Sequence, residues 1–194
     1  MKKTLIVLAL LASFQVANAQ SNVNSAAKAV ESALAASQNE KKATKVATWM
    51  KLAQTYIDAY SAPAGNVWLG ADMNSLQLSM GSEKPSSVET VTLGGVQYTK
   101  QVYENKNLYF NANGQLAVIE VTKPVVEDAL SKALEAYKKA YELDEKHSKD
   151  KDISAGIKTI SEKFNQEAYN SYTLGDVKQA EAYFEAAVEA AAQK

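Results

Sequence analysis

The side chains that commonly perform catalysis or bind metals are scattered along this sequence. Its one histidine, His147, lies in the charged run HSKDKD, and the chain contains no cysteine. Zinc sites generally need several nitrogen or sulfur ligands, so His147 is expected to be an uninvolved loop residue. Neither a G-x-S-x-G nor an H-E-x-x-H motif occurs. We therefore predict that the protein is not an enzyme and has no catalytic residue, no metal site and no cofactor.

Aromatic side chains are the remaining candidates for a chemical role. Trp68, Tyr98, Tyr103, Tyr109 and Phe110 fall in one stretch of the chain. Tyr109 and Phe110 are consecutive, so on a strand they point to opposite faces. One of them is expected to face away from the core, which leaves open a binding site for a glycan or another small ligand.

The charge pattern argues against a nucleic-acid partner. The chain has no arginine, the residue that suits bidentate contacts with phosphate and guanine. Without Lys2 and Lys3, which belong to the segment described next, the formal net charge falls from -1 to -3.

The first residues resemble an export signal. MKKTLIVLALLASFQVANA has two lysines, an apolar run and the A-x-A site Ala17-Asn18-Ala19. The apolar run is shorter than the roughly 20 residues that span a membrane. We expect cleavage after Ala19, a periplasmic or secreted mature protein, and no membrane span after cleavage.

Segments whose apolar residues follow a helical period lie on both sides of a stretch with a shorter period. We predict helices over 24–38, capped by Asn24 or Ser25, and over 41–60, ended by Pro63 and Gly65. In 63–123 the period drops towards two. GG at 94–95 and NANG at 111–114 predict hairpins, so 87–121 is expected to form three or four antiparallel strands. ADMNSLQLSMG fits a helix or a strand, and we favour a short helix.

Helices are expected again after Pro124, which suits a first helical turn. The first runs through VVEDALSKALEAYKKAYELDEK, and HSKDKD forms a charged loop after it. The second begins at Ile153 and closes at Gly175, and the third begins at Val177.

Two stretches together resemble a tetratricopeptide repeat (TPR). ATWMKLAQTY carries W-x2-L-[GA]-x2-Y, the first-helix signature, and ALEAYKKAYELD carries A-x3-[FY]-x2-A-x2-L-D, the second-helix signature. The stretch 63–123, which is predicted to contain the β-strands, lies between them. Insertions at exposed turns are tolerated, since the entropy of loop closure grows slowly with loop length.

The last two predicted helices resemble a further repeat. Ala168 and Ala180 are spaced as the eighth and twentieth positions of a repeat of about 34 residues. Small residues at 168, 180 and 187 would let the helices approach closely, and Phe164 and Phe184 would fill the gaps. Generic amphipathic hairpins are the alternative.

The resemblance implies a mainly α fold: antiparallel TPR-like helix hairpins, an α-solenoid fragment, with an inserted small antiparallel β meander. The domains would be the signal peptide (1–19), N-terminal helices with half a repeat (20–62), a β-rich insert (63–123), and the second half plus a further repeat (124–194).

The resemblance also implies a function: a non-enzymatic envelope scaffold whose groove binds a protein or peptide. The alternative is a glycan- or small-ligand-binding module that uses the insert's aromatic residues. The groove-facing positions implied by the repeat are Met50, Gln54, Ile57, Asp58, Asn165, Tyr169 and Tyr172.

Overall fold

The computed structural model of the protein describes residues 22–81 and 83–192. The predicted signal peptide and its cut after Ala19 lie outside the described residues. The chain divides into two compact units. Ala62–Pro124 form the β unit, and Ala26–Ser61 with Val125–Lys194 form the helical unit.

Helices account for most of the described residues, and a four-stranded antiparallel sheet accounts for much of the rest. This confirms the mainly α fold with an antiparallel β meander. In chain order the elements are α1 (22–38), α2 (Glu40–Ala43), α3 (Val46–Ser61), α4 (Met73–Ser79), β1 (Ser87–Leu93), β2 (Val96–Val102), β3 (Lys106–Phe110), β4 (Leu116–Val121), α5 (Ala129–Leu143), α6 (Asp150–Leu174) and α7 (Val177–Ala192).

The helical unit is built from helices packed in pairs. α3 packs along α5, α6 packs along α7, and α5 also contacts α6. One apolar core joins α1, α3, α5, α6 and α7, because each helix turns an apolar stripe inward. Its most deeply buried members are Ala53, Ala59, Ala133, Ala140, Ile160 and Ala190. The alanines among them allow the helix backbones to approach closely.

Gly156 sets the contact between α5 and α6. A Cβ atom at this position would lie 2.2 Å from Cζ of Tyr137 and 2.4 Å from its hydroxyl oxygen. These distances are far shorter than van der Waals contact. The Tyr137 ring on α5 therefore occupies the space that any larger residue at 156 would need.

Two predictions at the N-terminal helices are wrong. Asn24 and Ser25 do not cap α1, because the helix already includes residue 22. The single helix predicted over 41–60 is broken at Thr44 and Lys45. Trp49 stabilises the break, since its indole Nε1 donates a 2.8 Å hydrogen bond to the Ala43 carbonyl at the end of α2.

Pro124 does not begin the next helix, contrary to the prediction. α5 begins only at Ala129, because Asp128 has a positive φ of 54° that a helix cannot pass through. α6 begins at Asp150, three residues before the predicted Ile153. The Asp144 carboxylate organises the preceding loop by accepting hydrogen bonds from the Ser148 hydroxyl and the Lys149 amide.

The β unit is an antiparallel meander in the order β1-β2-β3-β4. Gly94 and Gly95, with φ of 56° and 82°, form the predicted two-residue turn between β1 and β2. The Asn111 side chain accepts from the amides of Asn113 and Gln115 and so shapes the predicted β3–β4 hairpin.

The short helix predicted in ADMNSLQLSMG is also confirmed, as α4. The Asp72 carboxylate caps its start by accepting from the amides of Asn74 and Ser75. Leu76 of α4 belongs to a second apolar core, whose residues all come from the β unit. Its buried members are Ala71, Leu76, Tyr103, Leu108, Phe110, Leu116 and Ile119.

Candidate functional site

The α3 half of the predicted groove is mixed in exposure. Gln54 and Asp58 are exposed, and the Gln54 amide donates a 2.8 Å hydrogen bond to the Asp58 carboxylate. Met50 packs partly buried against the helical core. Ile57 is only 5% exposed, so its assignment to a binding groove is wrong. Ile57 lies about one helical turn after the core residue Ala53, so its side chain points into the same core.

The α6 half is exposed and aromatic. Asn165 is exposed, and Tyr169 and Tyr172 each keep 64% of their surface in contact with solvent. Tyr169 packs edge-on against Phe184 of α7, with ring centroids 5.4 Å apart. These α6 residues therefore face the α7 side of their helix.

A polar cluster joins α3 and α6 on a different side. The Tyr60 hydroxyl donates a hydrogen bond to the Glu167 carboxylate. Lys163 donates to the Ser61 hydroxyl at 3.2 Å, and its ammonium lies 5.1 Å from the centre of the Tyr60 ring. In α6, Asn165 is two residues from both Lys163 and Glu167, and Tyr169 is two residues from Glu167; two residues correspond to about 200° of helix rotation. The predicted groove residues Asn165 and Tyr169 therefore lie on a different side of α6 from the side chains that contact Tyr60 and Ser61.

Burial controls the protonation of this cluster. It raises the pKa of Tyr60 above its ordinary value, and the nearby Glu167 charge raises it further. Burial also raises the pKa of Glu167, although hydrogen bonds with Tyr60 and Asn170 act in the opposite direction. Burial lowers the pKa of Lys163, opposed by the charges of Glu167 and Asp58. The Tyr60–Glu167 and Lys163–Ser61 hydrogen bonds each join α3 to α6, and so the cluster fixes α3 against α6.

An apolar surface, here called the aromatic patch, covers the outer side of α6 and α7. It consists of Tyr169, Tyr172, Val177, Phe184 and Val188. Val177 and Val188 are 53% and 70% exposed. Val177, Phe184 and Val188 are seven and four residues apart, so they align along one side of α7. Tyr169 and Tyr172 lie three residues apart on α6, and Tyr169 contacts Phe184 of α7. The patch is therefore continuous across both helices.

Phe184 does not fill the space between α6 and α7, as the sequence predicted. It is 36% exposed, whereas its neighbour Tyr183 contacts the buried Phe164, with ring centroids 6.2 Å apart. The sequence did carry a signal for this arrangement. α7 has one apolar stripe of alanines, Ala180, Ala187 and Ala190, and a second stripe of larger residues on another side.

The charged residues beside the patch are mainly acidic. Glu181 and Glu185 lie three residues before Phe184 and Val188, respectively, and both are exposed. Lys178 is the nearby basic residue on the same helix. Two carboxylates against one ammonium give the α7 side of the patch a negative charge.

The β unit does not present its strand aromatic residues as an exposed platform. Tyr109 and Phe110 do alternate in direction, but they are 5% and 1% exposed, so the prediction that one faces solvent is wrong. Every residue of β3 is buried, which removes the exposed face that the prediction required. Trp68, in the loop before α4, is 50% exposed.

Sequence reasoning missed a buried ion pair in the β unit. Lys106 is 2% exposed, and its ammonium lies 2.9 Å from the Glu83 carboxylate. The ammonium also lies 3.4 Å from the Pro63 carbonyl and 5.3 Å from the centre of the Tyr103 ring. No local pattern reveals this pair, because Lys106 resembles an ordinary strand-end lysine.

His147 lies in an exposed loop, with Nδ1 3.3 Å from the Asp150 carboxylate. Within residues 22–81 and 83–192, no group of three or more His, Asp or Glu side chains is arranged to hold a metal ion. In the same residues, no helix combines the length and the apolar character needed to cross a membrane.

The chain was compared with protein-family models, with curated proteins and with solved structures. No match was found in any of the three comparisons.

Proposed function

We propose that this protein is an exported, non-enzymatic scaffold of TPR-like helix pairs that binds a protein or peptide in the cell envelope. The pairing of α3 with α5 and of α6 with α7 supports the TPR-like interpretation. So does the burial of the motif alanines, since Ala168, Ala180 and Ala187 are 0%, 2% and 5% exposed. The A-x-A site after the apolar run supports export, and a mature mass beginning at Gln20 would test it.

The aromatic patch is the observation that carries the binding function. Large aromatic side chains at the surface are the residues most enriched at the centres of protein interfaces. We therefore centre the proposed site on this patch, which includes the predicted groove residues Tyr169 and Tyr172. The other predicted groove residues lie outside the patch: Met50, Gln54, Ile57, Asp58 and Asn165. Because Glu181 and Glu185 adjoin it, the favoured partner is a segment with apolar side chains flanked by lysine or arginine.

A photo-cross-linking experiment in the producing cells tests this function. A photoreactive amino acid replaces Tyr172 in one variant and Ala155 in a control. Ala155 is exposed on the same helix, well away from the patch. We expect a discrete cross-linked product from position 172 and none from position 155. The product should disappear when Phe184→Ser is added, because this change removes the aromatic centre of the patch.

The position-172 variants with and without Phe184→Ser should have the same circular dichroism spectrum, which separates loss of binding from loss of folding. Equal cross-linking from positions 155 and 172 would contradict a specific patch, and so would a product that survives Phe184→Ser.

A further inference from the structure

A cavity of about 400 Å³ lies within the β unit, between α4 and the sheet. Its apolar wall comes from Met73, Leu76 and Met80 on one side and Phe110 on the other. Leu76 and Phe110 are 2% and 1% exposed, so these side chains are fixed in the core. The two methionines are flexible and adapt their shape to an apolar molecule.

Two side-chain contacts fix the polar wall of the cavity. Glu83 is held by the buried ammonium of Lys106 at 2.9 Å. The Tyr103 hydroxyl donates a 2.8 Å hydrogen bond to the Gln101 side-chain oxygen. Burial raises the pKa of Tyr103 to about 12, so its hydroxyl keeps the proton that it donates. The Gln101 oxygen is thus directed at Tyr103, and its amino group is left as a donor.

The charges of the lining leave one cation uncompensated. Glu83 is neutralised by Lys106, and among the described lining residues Lys84 is then the charge without an ion-pair partner. The lining therefore combines an apolar wall, amide donors from Gln77 and Gln101, and a single ammonium group. Ligand sites typically have this composition, a mainly apolar surface with a few polar groups that set orientation.

The size of the cavity limits the ligand. Ligand pockets typically span about 300–1,000 Å³, so this one is at the small end. At about 30 Å³ for each water-sized group, it has room for roughly ten to thirteen heavy atoms. A single ammonium suits one carboxylate better than a phosphate, which carries more charge. α4 offers no second anion site, because the Asp72 carboxylate already caps its N-terminus.

We propose that this cavity binds a small apolar monocarboxylate, with its chain against Met73, Met80 and Phe110 and its carboxylate at Lys84 and Gln101. A medium-chain fatty acid is the simplest member of this class. The site lies wholly within the β unit and is independent of the protein-binding patch.

Methionine labelling gives a direct test in the intact mature protein. Only Met50, Met73 and Met80 follow the predicted signal peptide, and Met50 packs against the helical core. With 13C-methyl methionine, titration with octanoate below its micelle concentration should shift the Met73 and Met80 signals in a saturable way. The Met50 signal should stay in place and serves as an internal control.

Two comparisons test the carboxylate contact. Lys84→Gln should weaken octanoate binding about fivefold or more, because it removes a charge-assisted hydrogen bond. Lys146→Gln, a matched change at an exposed loop lysine of the helical unit, should leave the affinity unchanged. Octylamine should bind more weakly than octanoate.

Three results would overturn the proposal. The first is the absence of saturable shifts at Met73 and Met80, and the second is an equal shift at Met50. The third is equal affinity for octanoate and octylamine, which would show a nonspecific apolar contact. The Phe184→Ser variant should still bind octanoate, so failure of the proposed scaffold function would leave this result intact.

Discussion

At the scale of single residues, the Lys106–Glu83 pair is unequal in burial. The Lys106 side chain is 2% exposed and that of Glu83 is 24% exposed. Removing Glu83 would therefore leave a buried ammonium with only the Pro63 carbonyl and the Tyr103 ring. Removing Lys106 would leave a carboxylate that can still turn towards water. The two halves of one ion pair should thus differ in their effect on stability.

We predict that Glu83→Gln lowers the free energy of unfolding by about 3 kcal/mol, the cost of stranding a buried charge. Lys106→Met, which keeps the apolar stem of the lysine, should cost less than about 1 kcal/mol. Urea unfolding followed by tryptophan fluorescence would measure both. If Lys106→Met lowers the free energy of unfolding more than Glu83→Gln does, the unpaired ammonium is not the more destabilising of the two charges.

At the scale of elements, the α6–α7 pair depends on small residues at its contact. Ala180 is 2% exposed, whereas Ala182 on the same helix is exposed. Ala180→Leu adds three heavy atoms where two helices approach, and such overpacking typically costs about 1–3 kcal/mol. Ala182→Leu should change the free energy of unfolding by no more than about 0.5 kcal/mol.

Helix propensity cannot produce this contrast, because both changes replace alanine by leucine within one helix. Denaturant melts of the two variants and the parent chain would measure it. Equal effects would mean that position 180 has no special role in the contact and would count against the repeat alignment.

At the scale of the whole molecule, the two units have separate apolar cores. The core that contains Tyr56, Ala133 and Tyr137 draws its residues from the helical unit alone, and the core around Leu108 draws its residues from the β unit alone. We predict that replacing residues 63–123 by a short turn preserves the helical circular dichroism signal and a cooperative melt. α3 and α5 would still bury the same surfaces against each other.

A point variant provides the control for this deletion. Leu108→Ser, at a residue that is 0% exposed, should disrupt the β unit while the helical signal persists. Loss of the helical signal in both the 63–123 deletion and the Leu108→Ser variant would show that the helices depend on the β unit for folding. The interpretation of 63–123 as an insert in a repeat would then fail in its strong form.

Local patterns predicted much of this fold correctly, because they act over a few residues. The Gly94-Gly95 turn, the hairpin at Asn111 and α4 follow from backbone conformations and caps that neighbouring residues determine. The period of the apolar residues likewise placed the longer helices. The errors at Thr44, at Asp128 and at the start of α6 are at helix ends, where a single backbone conformation or a distant hydrogen bond decides the boundary.

The sequence by itself determined the classes of element, their order along the chain and the lack of cysteine and arginine chemistry. Only the tertiary structure decided which surfaces stay exposed. Periodicity identifies an apolar stripe but not what covers it, so Ile57 and Tyr109 are buried while Phe184 is exposed beside Tyr169. The Lys106–Glu83 pair and the cavity beside it also required the structure, because they join residues that are far apart in the chain. Their chemistry arises from desolvation and proximity, which a linear pattern does not contain.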